Sequence, residues 1–523
     1  MPAPFEPTDD RVVVVIGSGA GGGTVQDVLC EAGIDVVLLE AGERHEPEDY
    51  VRDEWTGYRM FSWSEPRIAS GTWRHATDHP RSPVWHCMAV GGSTQHWLGV
   101  SLRFAGHEFR ARSVYGDVPG ASLADWPFGL ETLAPYYDRA EARMGVSGTG
   151  GRPDLPVTNN YKVFHHGARR AGYRGVSRGR LAINAVPYDG RPASIQDGFT
   201  LQGDRARAKW CTATVEIPRA LATGRLDLRP GCRAIEIEVG DDDRARAVVY
   251  VDPDGVKRRQ ACRLVILAGN AIESPRLLLA SANGRHPDGI ANGSGHVGRH
   301  YMRHVMGTVW SVFERPVRHH IGESMPGLVA DEARHDPRRG FVGGYYVELN
   351  AISLPALAVL LDPGAWGAGL AWTLERYANI AGMIAVGEDM PRPENRVTLE
   401  PGETDAFGVP LARVHMDEHP NDTAMRSHAY GAMRRIHEAA GAVRVHEAPP
   451  FPATHNMGTL RMSEDPADGV VDPFGRAHGI DNLYVCDGSV FPTSGAANPT
   501  LTIVALAVRQ GEHLVGRIRR GEV

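Results

Sequence analysis

Residues 12–40 leave the chain few folds to choose from. Val12-Val13-Val14-Val15-Ile16 is an unbroken β-branched run, the composition of a strand buried on both faces. Gly17-Ser18-Gly19-Ala20-Gly21-Gly22 follows, then a predicted helix through about Ala32 that Gly33 ends. Val36-Val37-Leu38-Leu39 predicts a second strand, with Glu40 at its end. Gly17, Gly19 and Gly22 stand in the spacing G-x-G-x-x-G. This spacing permits a tight turn and a close approach of backbone to a pyrophosphate, while the helix N-terminus supplies donors and partial positive charge. Glu40 lies roughly 20 residues on, where a carboxylate accepts the ribose hydroxyls of an adenosine. A glycine-rich turn of purely structural use is the alternative. Strand, helix, strand and acid in register favour a dinucleotide, and the motif by itself does not separate FAD from NAD.

At 523 residues the chain exceeds what one hydrophobic core sustains, roughly 250–300 residues, so several domains or one large cofactor fold with insertions are expected. A net charge of −7 leaves no basic footprint for nucleic acid. The six cysteines, Cys30, Cys87, Cys211, Cys232, Cys262 and Cys486, are far apart. That spacing implies neither a disulfide framework nor a zinc site, and a cytoplasmic location is the default expectation. The first ten residues lack the basic and apolar regions of a signal peptide, and no run reaches the ~18–20 apolar residues of a membrane span. The nearest such run, Ala351 to Leu374, is interrupted by Pro355, Asp362 and several glycines and reads as a buried or cleft-lining segment.

Further along, a Gly- and Trp-rich irregular stretch at about 43–115 precedes a predicted helix at Leu130–Met144. Alternating apolar and polar residues from Arg225 to Val251, then the run Arg263 to Gly269, predict strands, followed by a helix at Ile272–Ala282. Residues 300–450 mix aromatic-rich strands and helices into a second lobe, within which 395–415 reads as two strands joined by a turn-rich loop. The chain closes with a strand at Leu483–Cys486 and a helix at about Pro499–Arg517.

Three further sites carry chemistry. Gly91-Gly92-Ser93-Thr94-Gln95-His96-Trp97 combines small and hydroxyl residues suited to a backbone passing close to a flat ring and a phosphate. His96 can present a ring nitrogen to the 8α-methyl carbon of a flavin, or can simply be a hydrogen-bonded histidine beside a packed tryptophan. His455, in A-T-H-N-M-G-T-L-R-M, is either a satisfied buried histidine or a base in a small, glycine-rich setting. Asn498 precedes Pro499, so it is a good N-cap for the last helix as well as a hydrogen-bonding amide for a ligand. That helix could also aim its positive end at a flavin pyrimidine ring. His296, His300 and His304 recur at i, i+4 and i+8, which on a helix would align three zinc ligands. Gly293, Gly295 and Gly298 argue against a helix there, and no metal site is expected.

Together these motifs resemble the glucose–methanol–choline (GMC) oxidoreductases. The resemblance runs from V-V-V-I-G-S-G-A-G-G-G and L-L-E-A-G through G-G-S-T-Q-H-W, V-I-L-A-G-N-A-I-E-S-P-R-L-L and N-R-V-T-L. It ends in H-N-M-G-T-L-R-M and N-L-Y-V-C-D-G-S-V-F-P-T-S-G-A-A-N-P-T-L-T. It is nearest to the pyranose oxidase and sugar or polyol dehydrogenase branch. The resemblance implies FAD, a base at His455 with Asn498 as its partner, and a histidyl-linked flavin at His96. It also implies flavin contacts at Gly92, Ser93, Asp487 and Pro499, and an adenine contact at Ala234. The implied fold is α/β with an α+β second lobe. A Rossmann-like FAD-binding domain is assembled from 1–150, 206–300 and 451–523, and a substrate domain on a mainly antiparallel sheet comes from 151–205 and 301–450. Two departures stand out. Related dehydrogenases carry a cysteine-rich stretch where 190–212 keeps only Cys211, which weakens any inference to their partner subunits. The loops within 300–390 match no substrate pattern.

The expected activity is oxidation of an alcohol to a carbonyl, the alcohol being a hydroxyl of a sugar, glycoside, aminated sugar or polyol. The electron acceptor (oxygen, quinone or a protein carrier) and the oligomeric state stay open. A hydroxynitrile-lyase-type enzyme on the same scaffold, or oxidation of a sterol or simple alcohol, is the alternative.

Overall fold

The computed structural model describes residues 5–69, 85–198, 200–362, 364–450 and 454–523; residues 70–84 of the irregular stretch lie outside it. A five-stranded parallel sheet takes the order Leu483–Val485, Leu264–Leu267, Val13–Ile16, Val36–Leu39, Leu226–Arg229. Strands from distant parts of the chain thus become neighbours, as the discontinuous Rossmann-like arrangement requires. The four residues of each of the first two strands are fully buried, because helices cover both faces of a parallel sheet. The helix Ala20–Glu31 follows the glycine turn, and Gly33 ends it at φ +85°.

A six-stranded sheet forms the second lobe, in the order Arg444–Ala448, Val305–Val312, Ile380–Gly387, Tyr345–Asn350, Gly327–Val329, Val176–Arg178. Every neighbouring pair in it is antiparallel. Side chains alternate between the faces of a strand. Val305, Val309, Tyr345, Val347, Leu349, Met383 and Ala385 therefore pack beneath Met425, Ala429, Met433 and Ile436 of the helix Pro420–Ala439. The opposite face presents Met306, Thr308, Trp310, Asn350, Ile384 and Val386 to a cavity shared with the parallel-sheet lobe. The strands Arg396–Thr404 and Pro410–His415 pair antiparallel, as their turn-rich linker suggests.

The predicted helices are found close to their expected ends, at Leu130–Met144, Asn270–Ala280 and Thr500–Arg519. One expectation is corrected. The last helix begins at Thr500, Pro499 occupies the N-cap position, and no side chain caps it. Asn498 stands one residue too early to reach the first-turn amides. No helix among the described residues is long and apolar enough to cross a membrane.

The first helix is tied to its neighbours by charge. Asp27 is fully buried and pairs with Arg143, from the helix Leu130–Met144, and with Arg219 of the helix Glu216–Ala222 at 3.2 Å. Burial pushes its carboxyl up to about 6 despite both guanidinium groups. Arg143→Leu should leave this buried carboxylate with only Arg219 of its two guanidinium partners and lower stability by up to roughly 3–5 kcal/mol, seen as a lower thermal unfolding midpoint at pH 8. A carboxyl raised above its unfolded value loses stability as pH climbs towards the folded pKa. Without Arg143 the carboxyl titrates higher still, so the variant's deficit should shrink as pH falls from 8 towards about 6, because the variant's Asp27 takes up its proton first.

Candidate active site

The glycine turn builds one end of the cavity. Gly17 sits at φ +96°, and a Cβ there would lie 2.4 Å from the Ala268 carbonyl oxygen. At Gly22 a Cβ would lie 1.9 Å from the Gly17 carbonyl oxygen, so the turn closes only with glycine at both positions. Gly19 differs: a Cβ there would meet nothing within 4 Å, because the residue faces the cavity. The turn is held by Glu40, whose buried carboxylate accepts from Ser18 N at 3.0 Å, Ser18 Oγ at 2.6 Å and Gly42 N at 2.9 Å. Ser18 Oγ in turn accepts from Gly91 N at 2.8 Å, which joins the turn to the loop ending at His96.

In that loop Gly91 and Gly92 both take positive φ, +97° and +52°, and Ser93 Oγ accepts from Cys87 N at 3.2 Å. His96 is buried, its ring edge-on to Trp63 at 4.9 Å between centroids, and neither ring nitrogen has a hydrogen-bond partner. Burial, helped by nearby Lys209, pushes its pKa down to about 3. Lys209 belongs to no motif. Fully buried, it donates to the carbonyls of Gln95 at 2.9 Å, Trp97 at 2.8 Å and Thr200, clamping the loop on both sides of His96.

All the predicted site residues except Gly22 line the same cavity of about 380 Å³. Ala234 lines it beside Cys232 and Arg233. Asp487 is buried with its donors in place, accepting from Asn270 N at 2.9 Å, Ser274 Oγ at 2.6 Å and Ser489 N at 2.8 Å. It thereby fixes the start of the helix Asn270–Ala280 against the cavity floor. Two helix N-termini without side-chain caps, those of Ala20–Glu31 and Thr500–Arg519, open on the cavity through Gly19 and Pro499. Such ends favour negatively charged groups. Between the Ala356 and Leu360 wall of the 351–374 segment and the strands of the second lobe, the lining becomes apolar.

His455 and Asn498 line the far end of this cavity. Burial pushes His455 well below the ordinary histidine value, and the neighbouring His304 adds to this, so the ring is neutral. Its Nδ1 lies 2.9 Å from His304 Nδ1, and His304 Nε2 lies 3.1 Å from the Ser494 carbonyl oxygen. The Asn498 Oδ1 atom is buried without a hydrogen bond. Its amide reaches towards Glu348, a fully buried carboxyl that burial pushes up to about 8 and that this amide partly offsets. Glu348 was not anticipated. It follows from the alternation of the strand Tyr345–Asn350, which puts it on the cavity-side face with Asn350.

The three regularly spaced histidines part company. Residues 296–304 form no helix, and His300 and His304 take left-handed backbone at φ +66° and +70°. His296 Nδ1 meets His300 Nε2 at 2.8 Å, His300 Nδ1 meets Ser122 Oγ at 2.8 Å, and His304 turns the other way, to His455.

The cradle at Gly19, the two open helix N-termini and the orphaned His96 nitrogens fit a flavin dinucleotide. Gly17, Gly19, Glu40 and Ala234 would hold its adenosine and pyrophosphate end, and Gly92, Ser93, His96 and Pro499 its ring end.

Comparisons with known proteins agree with this geometry. The family models described as GMC oxidoreductase match residues 68–306 and 391–507. The chain is 32% identical to 2-methyl-1,2-propanediol dehydrogenase of Mycolicibacterium austroafricanum, over 97% of this chain and 96% of that one. It is 32% identical to paromamine 6'-oxidase of Streptomyces fradiae (97% and 92%) and 28% identical to the fructose dehydrogenase large subunit of Gluconobacter japonicus (97% and 98%). Among solved structures, formate oxidase of Aspergillus oryzae superposes with a TM-score of 0.67 at 15% identity, covering 99% of this chain and all of that one. With this fold, these matches and this site, the chain belongs to the GMC oxidoreductase family, as an FAD-dependent oxidoreductase acting on alcohols.

Proposed function

We propose that this enzyme oxidises a hydroxyl of a polyol, sugar, glycoside or aminated sugar to a carbonyl, with His455 as base and Asn498 as its hydrogen-bonding partner. The observation that carries this reading is a half-buried imidazole, held neutral by desolvation, on the wall of the cavity into which the glycine turn opens. When bound, FAD supplies the acceptor for the hydride that leaves the alcohol carbon. His455 takes the hydroxyl proton on a ring nitrogen, and it can do so because burial keeps the ring unprotonated. Asn498 hydrogen-bonds the same oxygen and holds it within reach of His455. The N-terminus of the helix Thr500–Arg519 favours negative charge at the end of the cavity where it points.

Two observations support the substrate class. The similar proteins are named for 2-methyl-1,2-propanediol, paromamine and fructose. Thr308 and Asn350 interrupt an otherwise apolar wall of Met306, Trp310, Ile384 and Val386. We further propose a covalent link from the flavin to His96, whose ring nitrogens have no other partner, and a cytoplasmic location, with which six unpaired cysteines agree.

His455→Ala should slow anaerobic flavin reduction by about 10²–10⁴-fold, the range of general-base assistance, with the yellow cofactor retained. Rapid bleaching by the substrate would remove His455 from the base role. Because burial holds this histidine well below its ordinary value, it stays neutral in mild acid. The reduction rate should accordingly be flat on the acid side down through pH 6.5, and an acid limb centred near 6.5 would contradict the buried neutral base.

A stopped-flow screen of anaerobic flavin reduction over sugars, glycosides, aminoglycosides, polyols, sterols and simple alcohols tests the substrate class. Reduction by sterols or simple alcohols alone would overturn it. Repeating the screen with oxygen, quinone and dye tells oxidase from dehydrogenase. Acid precipitation should leave flavin on the protein pellet, and His96→Ala should release it to the supernatant.

A further inference from the structure

His304 sits directly behind His455, and its two ring nitrogens face different partners. Nε2 lies 3.1 Å from the Ser494 carbonyl oxygen. A carbonyl only accepts, so Nε2 carries the proton. Burial lowers the His304 pKa and keeps the ring neutral, which leaves Nδ1 as a lone pair. His455 Nδ1 is 2.9 Å from that lone pair and must be the donor. A neutral imidazole with its proton on Nδ1 has a bare Nε2.

We infer that His304 is a positioning residue that selects the Nδ1–H tautomer of His455 and so leaves Nε2 as the atom that accepts the substrate proton. This rests on His455 being the base. With the opposite tautomer, His455 would present an N–H where a lone pair is needed.

The surroundings hold His304 to this task. It is 3% exposed, and the two rings meet edge to face with centroids 5.0 Å apart at 88°. Met302 and Met457 exchange backbone hydrogen bonds of 3.0 and 2.9 Å, which fixes the spacing between the segments that carry the two histidines. Asp389 anchors both ends of the relay. Its Oδ2 accepts from Arg303 N at 2.8 Å, and its own N–H donates to Ser494 Oγ at 3.1 Å. Gly458, at φ +93°, approaches so closely that a Cβ would lie 2.3 Å from the His300 carbonyl oxygen, and only glycine permits that approach.

The direct test is the tautomer. In the FAD-loaded enzyme with ¹⁵N-labelled histidine, NMR should show His455 protonated on Nδ1 and bare on Nε2, the signals being assigned by their loss in His455→Gln. The reverse pattern overturns the inference, whatever the activity. Kinetics supply the second arm. His304→Leu should lower the limiting rate of flavin reduction about 10²-fold or more at unchanged FAD content. His304→Asn should recover it to within about tenfold, because Oδ1 can accept from His455 Nδ1 and asparagine tolerates the left-handed backbone. A wild-type rate in the leucine variant, or an asparagine variant no better than leucine, overturns the inference. If His455→Ala is slow while His304→Leu is fast, the inference alone fails; if His455→Ala is itself fast, the base assignment beneath it fails. Should the leucine variant not fold, the tautomer of the wild-type enzyme still decides.

Discussion

The active site depends on a short stretch of backbone pairing between Met302 and Met457. This one reciprocal contact joins the strand entering the antiparallel sheet to the loop that precedes the last strand of the parallel sheet. It brings His304 and His455 to hydrogen-bonding distance although 151 residues separate them. The cavity lies where the two sheets face each other, so each lobe supplies one wall. The cofactor-holding turn, the flavin loop and the last helix belong to one lobe, and the apolar substrate-facing strands to the other.

Burial gives the site its electrostatic character, with the same sign throughout. Low-dielectric surroundings disfavour charge, so His96, His304 and His455 are pushed towards the neutral base form and Glu348 towards the neutral acid. Several polar atoms there lack partners: both ring nitrogens of His96 and Asn498 Oδ1. Leaving such an atom buried and unbonded costs about 1–3 kcal/mol. Lys209 shows the contrasting case, a buried cation kept because three carbonyls surround it.

Much of this was legible in the chain because local patterns dictate local structure. The run Val12–Ile16, the glycine turn and Glu40 specify a βαβ unit through short-range sterics and packing. The helix Leu130–Met144 announces its ends by composition, with Gly145 in left-handed conformation just beyond. The Asn498 cap failed for a local reason of another kind. Pro499 takes the cap position itself, which leaves Asn498 outside the helix and its amide directed to Glu348. The spacing of His296, His300 and His304 misled because a 3.6-residue period has meaning only on a helix, and positive φ at His300 and His304 aims neighbouring histidines in opposite directions.

What the sequence determined by itself is the cofactor-binding unit and the family, since each is written in runs of residues whose spacing carries the chemistry. What only the tertiary structure decided is which remote groups meet the motif residues: His304 beside His455, Glu348 near the Asn498 amide, Lys209 beneath the Gly91–Trp97 loop. These groups are remote in sequence and carry no motif. Their roles arise from burial and from hydrogen bonds across the junction of two sheets, and neither exists until the chain has closed that junction.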